Sequence, residues 1–317
     1  MILTVTANPS LDRTYTTRAL AVGQVNRAHN DSVEASGKGV NVSRVLHAAK
    51  VATVAVLTTG GSEGEQLRTL LEGERLRHVL VRTQLPTRTN ITVAEPDRTT
   101  KINSLGHPLV AGDYDALVMV VAAQARLARW VAICGSVPPG APDSLVPQLV
   151  AAAREAGART AVDASGPALR AAVGAAPDLL TPNADELGEM AGSTFRGAGP
   201  DLVQDALAAA VALTERTGSA LLVSLGADGA LWVKAGGPVL HAVAPPVVPV
   251  NTAGAGDALL AGWLAGDEDE ASEPGARARL VRAVAWGTAA CLLPDTAGDV
   301  AAEADPTTVT VTTPTTA

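Results

Sequence analysis

Residues 251–257, with the sequence Asn-Thr-Ala-Gly-Ala-Gly-Asp, combine a backbone that suits a bound anion with a carboxylate that suits proton removal. The small side chains leave peptide N–H groups uncovered, and the helix-forming run 258–265 follows directly. A helix that begins on such a turn presents unpaired N–H groups and the positive end of its dipole. The segment therefore predicts that Asp257 is a base, which removes the proton of a hydroxyl group that attacks a bound phosphate. By itself, the segment is equally typical of a glycine-rich turn with a capping Asp.

Two other nucleotide-binding motifs are absent from the sequence. No Gly-x4-Gly-Lys-[Ser/Thr] spacing occurs, which excludes a Walker A loop. Gly254 and Gly256 are followed by Leu259, where a dinucleotide-binding fingerprint requires Gly or Ala, and the motif lies late in the chain. These features argue against a nicotinamide-dependent enzyme.

Composition and charge limit the possible partners and the location. The formal net charge of −8 over 317 residues argues against a nucleic-acid or anionic-membrane partner, so an anionic substrate would need local cations. Cys134 and Cys291 lie in apolar surroundings and lack metal-ligand spacing, which predicts two buried free thiols. The first residues lack the basic region and cleavage site of a signal peptide, and no apolar run reaches membrane-spanning length. We therefore predict a cytoplasmic protein with no membrane partner.

Short apolar strand candidates alternate with alanine-rich helical stretches, the pattern of a parallel sheet covered by helices. Strands are predicted at 2–6, 52–57, 130–134, 160–163, 179–181 and 220–224. Helices are predicted at 39–49, 63–74, 144–156 and 202–217. The β-prone regions 14–36 and 87–103 lack a helix, and we expect them to pair as a small sheet that acts as a lid. The acidic run 267–270 is predicted to be a solvated loop.

Four further motifs precede the segment 251–257 in order along the chain. They are Asn-Pro-Ser-Leu-Asp at 8–12, Gly-Lys-Gly-Val-Asn-Val at 37–42, Thr-Pro-Asn-Ala-Asp-Glu-Leu at 181–187 and Ser-Leu-Gly-Ala-Asp-Gly-Ala at 224–230. Together the five resemble the ribokinase-like carbohydrate kinases of the phosphofructokinase-B type, over essentially the whole chain. The similarity is greatest to the 1-phosphofructokinase and tagatose-6-phosphate kinase branch. The resemblance implies an α/β fold: one three-layer α/β/α domain over 1–317, with a mainly parallel central sheet and a small β-sheet lid.

The resemblance assigns a first group of residues to a sugar phosphate. Asp12, just beyond the first strand, would accept hydrogen bonds from sugar hydroxyls, and Asn41 would both donate and accept them. Cationic side chains would bind the phosphate that the substrate already carries, which free-sugar kinases do not need. The predicted substrate-binding residues are Asp12, Arg27, Gly37, Lys38, Gly39, Asn41, Arg88, Lys101 and Ser136.

A second group is assigned by the same resemblance to ATP and Mg²⁺. Glu186 would hold the metal through water, because Mg²⁺ keeps much of its hydration in proteins, and Asp163 would support this region. The predicted nucleotide-binding residues are Asn183, Ser224, Gly226, Gly229, Thr252, Val284 and Thr288. The predicted catalytic residues are Gly254, Ala255, Gly256 and Asp257.

The implied reaction moves the γ-phosphoryl group of ATP to a ketohexose phosphate, first of all fructose 1-phosphate, in a homodimer that associates through the lid. Tagatose 6-phosphate and fructose 6-phosphate stay open as substrates, because pocket geometry distinguishes the three. Residues 103–106, Asn-Ser-Leu-Gly, also depart from the acidic Asn-Glu-x-Gly pattern associated with 1-phosphofructokinases.

Two alternatives from other classes stay open. One is a non-catalytic sugar-phosphate sensor, which the presence of Asp257, Asn183 and Glu186 disfavours. The other is a nucleoside or free-sugar kinase, which Arg88, Lys101 and the scarcity of aromatic residues disfavour.

Overall fold

Strands and helices alternate along the chain, as the sequence predicts. The computed structural model describes residues 1–195 and 197–315. Its strands are β1 (Ile2–Thr6), β2 (Ser10–Thr16), β3 (Asn30–Ser36), β4 (Thr53–Thr59), β5 (His78–Arg82), β6 (Arg88–Ala94), β7 (Thr99–Ile102), β8 (Trp130–Cys134), β9 (Arg159–Asp163), β10 (Leu179–Leu180), β11 (Ala220–Ser224), β12 (Ala230–Val233), β13 (Val239–Val243) and β14 (Thr310–Thr312). Its helices are α1 (Lys38–Ala48), α2 (Gly61–Gly73), α3 (Ala111–Ala125), α4 (Leu145–Glu155), α5 (Gly166–Ala175), α6 (Ala184–Ala191), α7 (Pro200–Thr217), α8 (Ala255–Ala265), α9 (Glu273–Leu292) and α10 (Val300–Glu303). The bounds predicted for the individual strands and helices agree with these to within two residues.

The central sheet is mainly parallel, which confirms the expectation. In the part of the chain that the structure describes, it has ten strands in the order β14-β13-β12-β11-β10-β9-β8-β1-β4-β5. The strands from β11 to β5 in this order are parallel, and β12 to β14 add an antiparallel edge. Strand β14 comes from the Thr-rich tail, whose last residues, 316 and 317, lie outside the described residues. Because parallel strands end at the same edge, the segments after β1, β9, β10 and β11 meet there.

Helices cover both faces of this sheet, so the three-layer α/β/α arrangement is confirmed. Successive residues of a strand point to opposite faces. Leu3 and Val5 of β1 therefore pack with α3, α4, α5 and α7, whereas Ile2 packs with α1, α8 and α9. The second of these cores contains Trp232 and Trp263, with ring centroids 4.0 Å apart.

Helix α8 is buried on all sides, in contact with α1 and α9. Every residue from Asp257 to Leu264 is buried, which is why this run is almost continuously apolar after Asp257. Gly262 permits the contact with α9, since a Cβ there would lie 2.9 Å from the Cα of Ala283. This packing fixes the position of Asp257 in the first turn.

The two β-prone regions form a small sheet in the order β3-β2-β6-β7. Strands β2 and β6 pair in parallel, and β3 and β7 pair antiparallel at the two edges. The sheet begins at Ser10 and not at residue 14, because Leu11 is buried with Leu67 and Leu71 of α2. Asp12 is consequently a strand residue, directly opposite Asn90 of β6.

The acidic run that follows α8 is not a fully solvated loop, so this prediction was wrong. Glu270 is only 3% exposed, because cations surround it. Its carboxylate pairs with Arg159, with Lys234 at 3.6 Å and with Arg279 at 3.6 Å. The guanidinium carbon of Arg159 also lies 4.0 Å from the ring centroid of Trp130. We call Glu270, Arg159, Lys234 and Arg279 the amino-end cluster, because they meet where β9 begins, next to the start of β8.

Both cysteines are free thiols, as predicted, although only one is fully buried. Cys134 lies in the core, whereas Cys291 is partly exposed near the end of α9. None of the described helices combines the length and the apolar character needed to cross a membrane.

Candidate active site

The carboxyl ends of adjacent parallel strands meet the amino ends of two helices at one edge of the central sheet. Asp163 ends β9, Asn183 follows β10 and Ser224 ends β11. Lys38 begins α1, and Asp257 lies in the first turn of α8. All five residues line one cavity of about 330 Å³. The fold therefore brings motifs from five separate parts of the sequence into one place.

The amino end of α8 leaves backbone N–H groups free, as its sequence predicts. Gly254 is left-handed, with φ of 82°, and no side chain caps the helix. Among the described residues, the N–H groups of Gly256 and Asp257 have no hydrogen-bond partner, whereas that of Ala255 lies 3.4 Å from the Thr252 carbonyl. With the helix dipole, these donors favour an anion at this point.

The Asp257 carboxylate is buried next to these donors. The residue is 6% exposed, and its Oδ2 accepts a 2.8 Å hydrogen bond from Asn41 Nδ2. Burial and, after it, the Asp163 carboxylate raise the pKa of Asp257 to about 7, against the lowering effects of the Asn41 bond and the Lys38 cation. A carboxyl group with a pKa near neutrality can both accept and release a proton at physiological pH.

Lys38 forms an ion pair within the same cavity. Its Nζ lies 2.8 Å from Asp163 Oδ1. Burial by itself would lower the pKa of Lys38, but the Asp163 carboxylate, with smaller contributions from Asp257 and Glu186, raises it. Lys38 therefore stays charged. It lines the cavity that contains Asp257 and not the small one lined by Arg88, with which the sequence analysis grouped it.

Asn183 and Glu186 form a reciprocal capping box at the start of α6. Asn183 Oδ1 accepts a 2.9 Å bond from the Glu186 N–H, and Glu186 Oε2 accepts a 2.9 Å bond from the Asn183 N–H. Burial raises the pKa of Glu186, against the effects of the Asn183 bond and of Lys38. The spacing of these two residues thus has a structural role, and both side chains also line the cavity that contains Asp257.

A second cavity, of about 410 Å³, adjoins the first, since Ser224, Gly256 and Leu259 line both. Its lining includes six of the predicted nucleotide-binding residues, namely Ser224, Gly226, Gly229, Thr252, Val284 and Thr288. The segment 244–247 also lines it. Sequence reasoning missed this segment, because Ala-Pro-Pro-Val carries no ligand-binding signal. A largely apolar cavity of this size suits the base and ribose of a nucleotide.

The polar face of the small sheet carries a hydrogen-bonded network around Asp12. Its Oδ1 accepts 2.8 Å bonds from Ser10 Oγ and from Asn90 Nδ2. Asn90 Oδ1 accepts a 3.1 Å bond from the Ser104 N–H. No role was predicted for Asn90, although its position two residues after Arg88 on one strand places both on the same face. Among the described residues, Asp12 Oδ2 has no hydrogen-bond partner and stays available to a ligand.

Arg88 is a partly buried cation that has no carboxylate within ion-pair distance among the described residues. Its guanidinium donates to the Ser104 carbonyl at 2.7 Å and to the Asn8 carbonyl at 2.9 Å. Burial lowers the pKa of Arg88, whereas the charge of Asp12 raises it. The Asn8 side chain extends the network by donating to Ser136 Oγ at 3.2 Å. The Arg88 guanidinium therefore has no carboxylate in direct contact among the described residues, which favours a bound anion beside it.

Two predicted substrate-binding cations are not drawn into these contacts. Lys101 shares the polar face with Asn90, because it pairs in register with Thr92, but its side chain is exposed. Arg27 is exposed in the connection between β2 and β3. No hydrogen bond or ion pair in the described parts of the chain links either of them to the other site residues.

The glycines at the start of α1 have a packing role that the sequence did not reveal. Gly37 has φ of 136°, and a Cβ there would lie 2.7 Å from Thr6 Cγ2. A Cβ on Gly39 would lie 2.5 Å from Thr6 Oγ1. Both glycines therefore allow α1 to approach β1, and their contact with a sugar stays a prediction. This close packing sets how deep Lys38 and Asn41 lie.

The comparison with known families agrees with this arrangement. The model of the pfkB family of carbohydrate kinases matches residues 5–292. The chain belongs to this family. The resemblance inferred from the five motifs is thereby confirmed.

This pfkB kinase is similar over most of its length to curated 1-phosphofructokinases. The protein from Bacillus subtilis is 34% identical over 266 residues, which cover 84% of this chain and 85% of that one. The protein from Haloferax volcanii is 37% identical over 274 residues, or 86% of each chain.

Two solved structures show the same fold. The crystal structure of phosphofructokinase-2 from Escherichia coli in complex with substrates and products superposes with a TM-score of 0.84 at 29% identity, covering 95% of this chain and 97% of that one. Ribokinase from Arabidopsis thaliana complexed with ribose and ATP gives a TM-score of 0.70 at 20% identity, over 97% and 96% of the two chains. The second match concerns the fold alone.

The residues of this pfkB kinase fit a magnesium ion held mainly by water and phosphate oxygens. Across the described residues, no group of three or more His, Cys, Asp and Glu could hold a metal. Glu186 uses Oε2 for the capping box, and its Oε1 accepts no hydrogen bond from another described residue. One free carboxylate oxygen is enough for Mg²⁺, which commonly takes only one or two protein ligands.

Proposed function

We propose that this pfkB kinase transfers the γ-phosphoryl group of ATP to fructose 1-phosphate, giving fructose 1,6-bisphosphate. The observation that carries the proposal is the buried Asp257 carboxylate beside the free N–H groups of the α8 amino end. A cavity that suits a nucleotide adjoins this point. Asn41 connects the Asp257 carboxylate to the start of α1. The similarity to curated 1-phosphofructokinases supports the choice of sugar.

In the proposed reaction, Asp257 accepts the proton of the attacking sugar hydroxyl. The pKa of Asp257, raised to about 7, suits this task, because the base must be ionised before the reaction and protonated after it. The free N–H groups of Gly256 and Asp257 stabilise the charge on the transferring phosphoryl group.

The cations of the site divide between the two substrates. Arg88 binds the phosphate that the sugar already carries, supported by the absence of a carboxylate partner among the described residues. Asp12 Oδ2 accepts hydrogen bonds from sugar hydroxyls. Lys38, held by Asp163 in the cavity that contains Asp257, neutralises the phosphoryl group in transfer and not the distant sugar phosphate. Lys101 closes over the sugar phosphate when the small sheet acts as a lid.

ATP occupies the cavity lined by Gly226, Gly229 and Val284 in this proposal. Glu186 would hold Mg²⁺ through water, and the bound metal would neutralise charge on the nucleotide phosphates. The use of ATP also supports the cytoplasmic location predicted from the sequence.

The proposal includes a homodimer that forms through the small sheet. By strand register, the face opposite Asp12 carries two apolar cross-strand pairs, Tyr15 with Val93 and Ile91 with Ile102, beside Arg13. Ile102 is 60% exposed, and a second copy of the sheet would cover these apolar side chains. Light scattering measures the mass of the purified protein, and the mass of a single chain would contradict the dimer.

The test is a coupled ADP-release assay with Mg-ATP and fructose 1-phosphate, fructose 6-phosphate or tagatose 6-phosphate, with free fructose and ribose as controls. We expect the highest kcat/KM with fructose 1-phosphate. Preference for another phosphorylated ketohexose would replace the substrate and keep the reaction. Activity on free sugars alone would contradict the role of Arg88, and no ADP release with any of them would favour a non-catalytic sensor.

A further inference from the structure

The Asn41 side chain connects Asp257 to a charged pair outside the active site. Its Nδ2 donates to Asp257 Oδ2 at 2.8 Å, and its Oδ1 accepts from Arg44 Nη1 at 3.4 Å. A carboxylate can only accept hydrogen bonds and a guanidinium can only donate them. Both neighbours therefore require the same orientation of the Asn41 amide.

Arg44 is itself held in place by Glu74. Its Nε lies 2.7 Å from Glu74 Oε2, and its Nη2 lies 2.6 Å from Glu74 Oε1, a bidentate pair. This pairing uses one edge of the guanidinium and leaves Nη1 for Asn41. The Arg44 side chain is 13% exposed, so that solvent replaces it poorly as a donor to the amide oxygen.

We propose that Arg44 is a positioning residue for the phosphoryl transfer: fixed by Glu74, it orients the Asn41 amide so that this amide donates to Asp257. The inference rests on the proposed function, in which Asp257 is the base. The cation on the amide oxygen also polarises the amide, which strengthens the N–H bond to the carboxylate. Without Arg44 the amide could turn and present its oxygen to Asp257, where it would oppose the ionised form.

Other charged groups near Asp257 and Arg44 also act on the hydrogen bond from Asn41 to Asp257. The groups that face Asp257 are Asp163 of β9, Lys38 of α1, Asn41 of α1 and the Cys134 thiol of β8. A cavity of about 390 Å³ beside Arg44 is lined by Glu34, His47, Glu74, Asp295 and Asp299. Burial and Asp163 raise the pKa of Asp257, whereas the Asn41 bond and Lys38 lower it. Loss of the Asn41 bond therefore raises this pKa further.

The test is the pH dependence of kcat/KM for fructose 1-phosphate in Arg44→Met, compared with the parent and with Arg68→Met. Arg68 is a matched control, because it pairs with Glu65 and Glu72 on α2 and has no hydrogen bond to Asn41. We expect the acid limb of Arg44→Met to move up by about one pH unit, with about tenfold loss below the limb and recovery near pH 9. Arg68→Met should follow the parent profile.

A purely structural role for Arg44 would lower kcat/KM equally at all pH values and leave the acid limb where it is in the parent. Either this result or an unchanged profile would overturn the inference. If Arg44→Met does not fold, Glu74→Gln decides, since it should move the limb in the same direction by a smaller amount. A parent enzyme that releases no ADP would refute the proposed function, whereas an active parent with an unshifted Arg44→Met would refute this inference alone.

Discussion

The two ends of strand β9 balance their charges in opposite ways. Its first residue, Arg159, belongs to the amino-end cluster, where the single carboxylate of Glu270 meets three cations. Its last residue, Asp163, belongs to the candidate active site, where the carboxylates of Asp163, Asp257 and Glu186 act on the Lys38 cation. Helix α8 connects the same two regions, with Asp257 in its first turn and Glu270 soon after its end.

The difference shows how one fold surrounds one buried acid with cations and places another beside a second carboxylate. Cations surround Glu270, so its negative charge is compensated and the cluster fastens the α8–α9 connection to the sheet. Asp257 has a carboxylate as a near neighbour and little solvent, and its pKa rises to about 7. Charge at the first end serves stability, and in the proposed reaction charge at the second end serves proton transfer.

Removal of the reactive carboxylate should have the largest effect on activity. Asp257→Asn keeps the shape of the side chain and loses the base, so we expect kcat to fall by about 1,000-fold. Nucleotide affinity should stay close to that of the parent, because the cavity lined by Val284 and Thr288 is unchanged. The coupled assay measures kcat, and calorimetry measures the affinity. A kcat within tenfold of the parent would show that Asp257 is not the base.

A substitution in the amino-end cluster should lower the stability of the protein and leave its activity unchanged. Glu270→Gln leaves Arg159, Lys234 and Arg279 without their carboxylate, and we expect a loss of about 3 kcal/mol in the free energy of unfolding. The loss falls at the lower end for buried pairs, because Arg159 and Lys234 reach solvent.

Urea denaturation measures this loss, and Glu65→Gln is the control. Glu65 pairs with Arg68 on the surface of α2, so its removal should leave the free energy of unfolding close to that of the parent. Equal stabilities of the two variants, or a kcat of Glu270→Gln below half that of the parent, would remove the distinction between the two ends.

Among the described residues, Arg88 at the active-site end is an unpaired cation, in contrast to Arg279, which is paired. Arg88→Met keeps most of the side-chain volume and removes the charge, and we expect the KM for the sugar phosphate to rise about 30-fold. The KM for ATP should change by less than about twofold, since Arg88 does not line the nucleotide cavity. Lys101→Met should give a smaller rise in the same constant, because Lys101 is exposed. Equal rises in both KM values would mean that Arg88 shapes the site without reading the phosphate.

The smallest expected effect is a gain in stability from the loss of Asp257. An unfolded Asp loses its proton near its ordinary pKa, whereas folded Asp257 keeps it up to about pH 7. The folded state therefore binds more protons between these values, and the parent loses stability as the pH rises through this window. Asp257→Asn should raise Tm by about 2 to 5 °C at pH 8 and by almost nothing at pH 4. A gain that is the same at both pH values would contradict the raised pKa.

Local pattern was enough to predict most of the fold. Buried parallel strands such as Ile2–Thr6 appear in the sequence as short apolar runs, and helices such as Pro200–Thr217 appear as long alanine-rich ones. The turn at Gly254 and the free N–H groups after it are also local properties, because they depend on glycine conformation and on the position where a helix begins. The sequence by itself therefore determined the layers, the α8 amino end and the family.

Partners that lie far apart in the chain were decided by the tertiary structure alone. Strand order brings Lys38 to Asp163, and the packing of α1 on α8 brings Asn41 to Asp257. The same long-range packing gathers cations around Glu270, which the sequence presents as one acid in a solvated run. Periodicity describes which face of an element is apolar, but ion pairs, burial and pKa values depend on what the opposite element places there. The residue type of Asp257 is a local property, whereas its raised pKa depends on the tertiary structure.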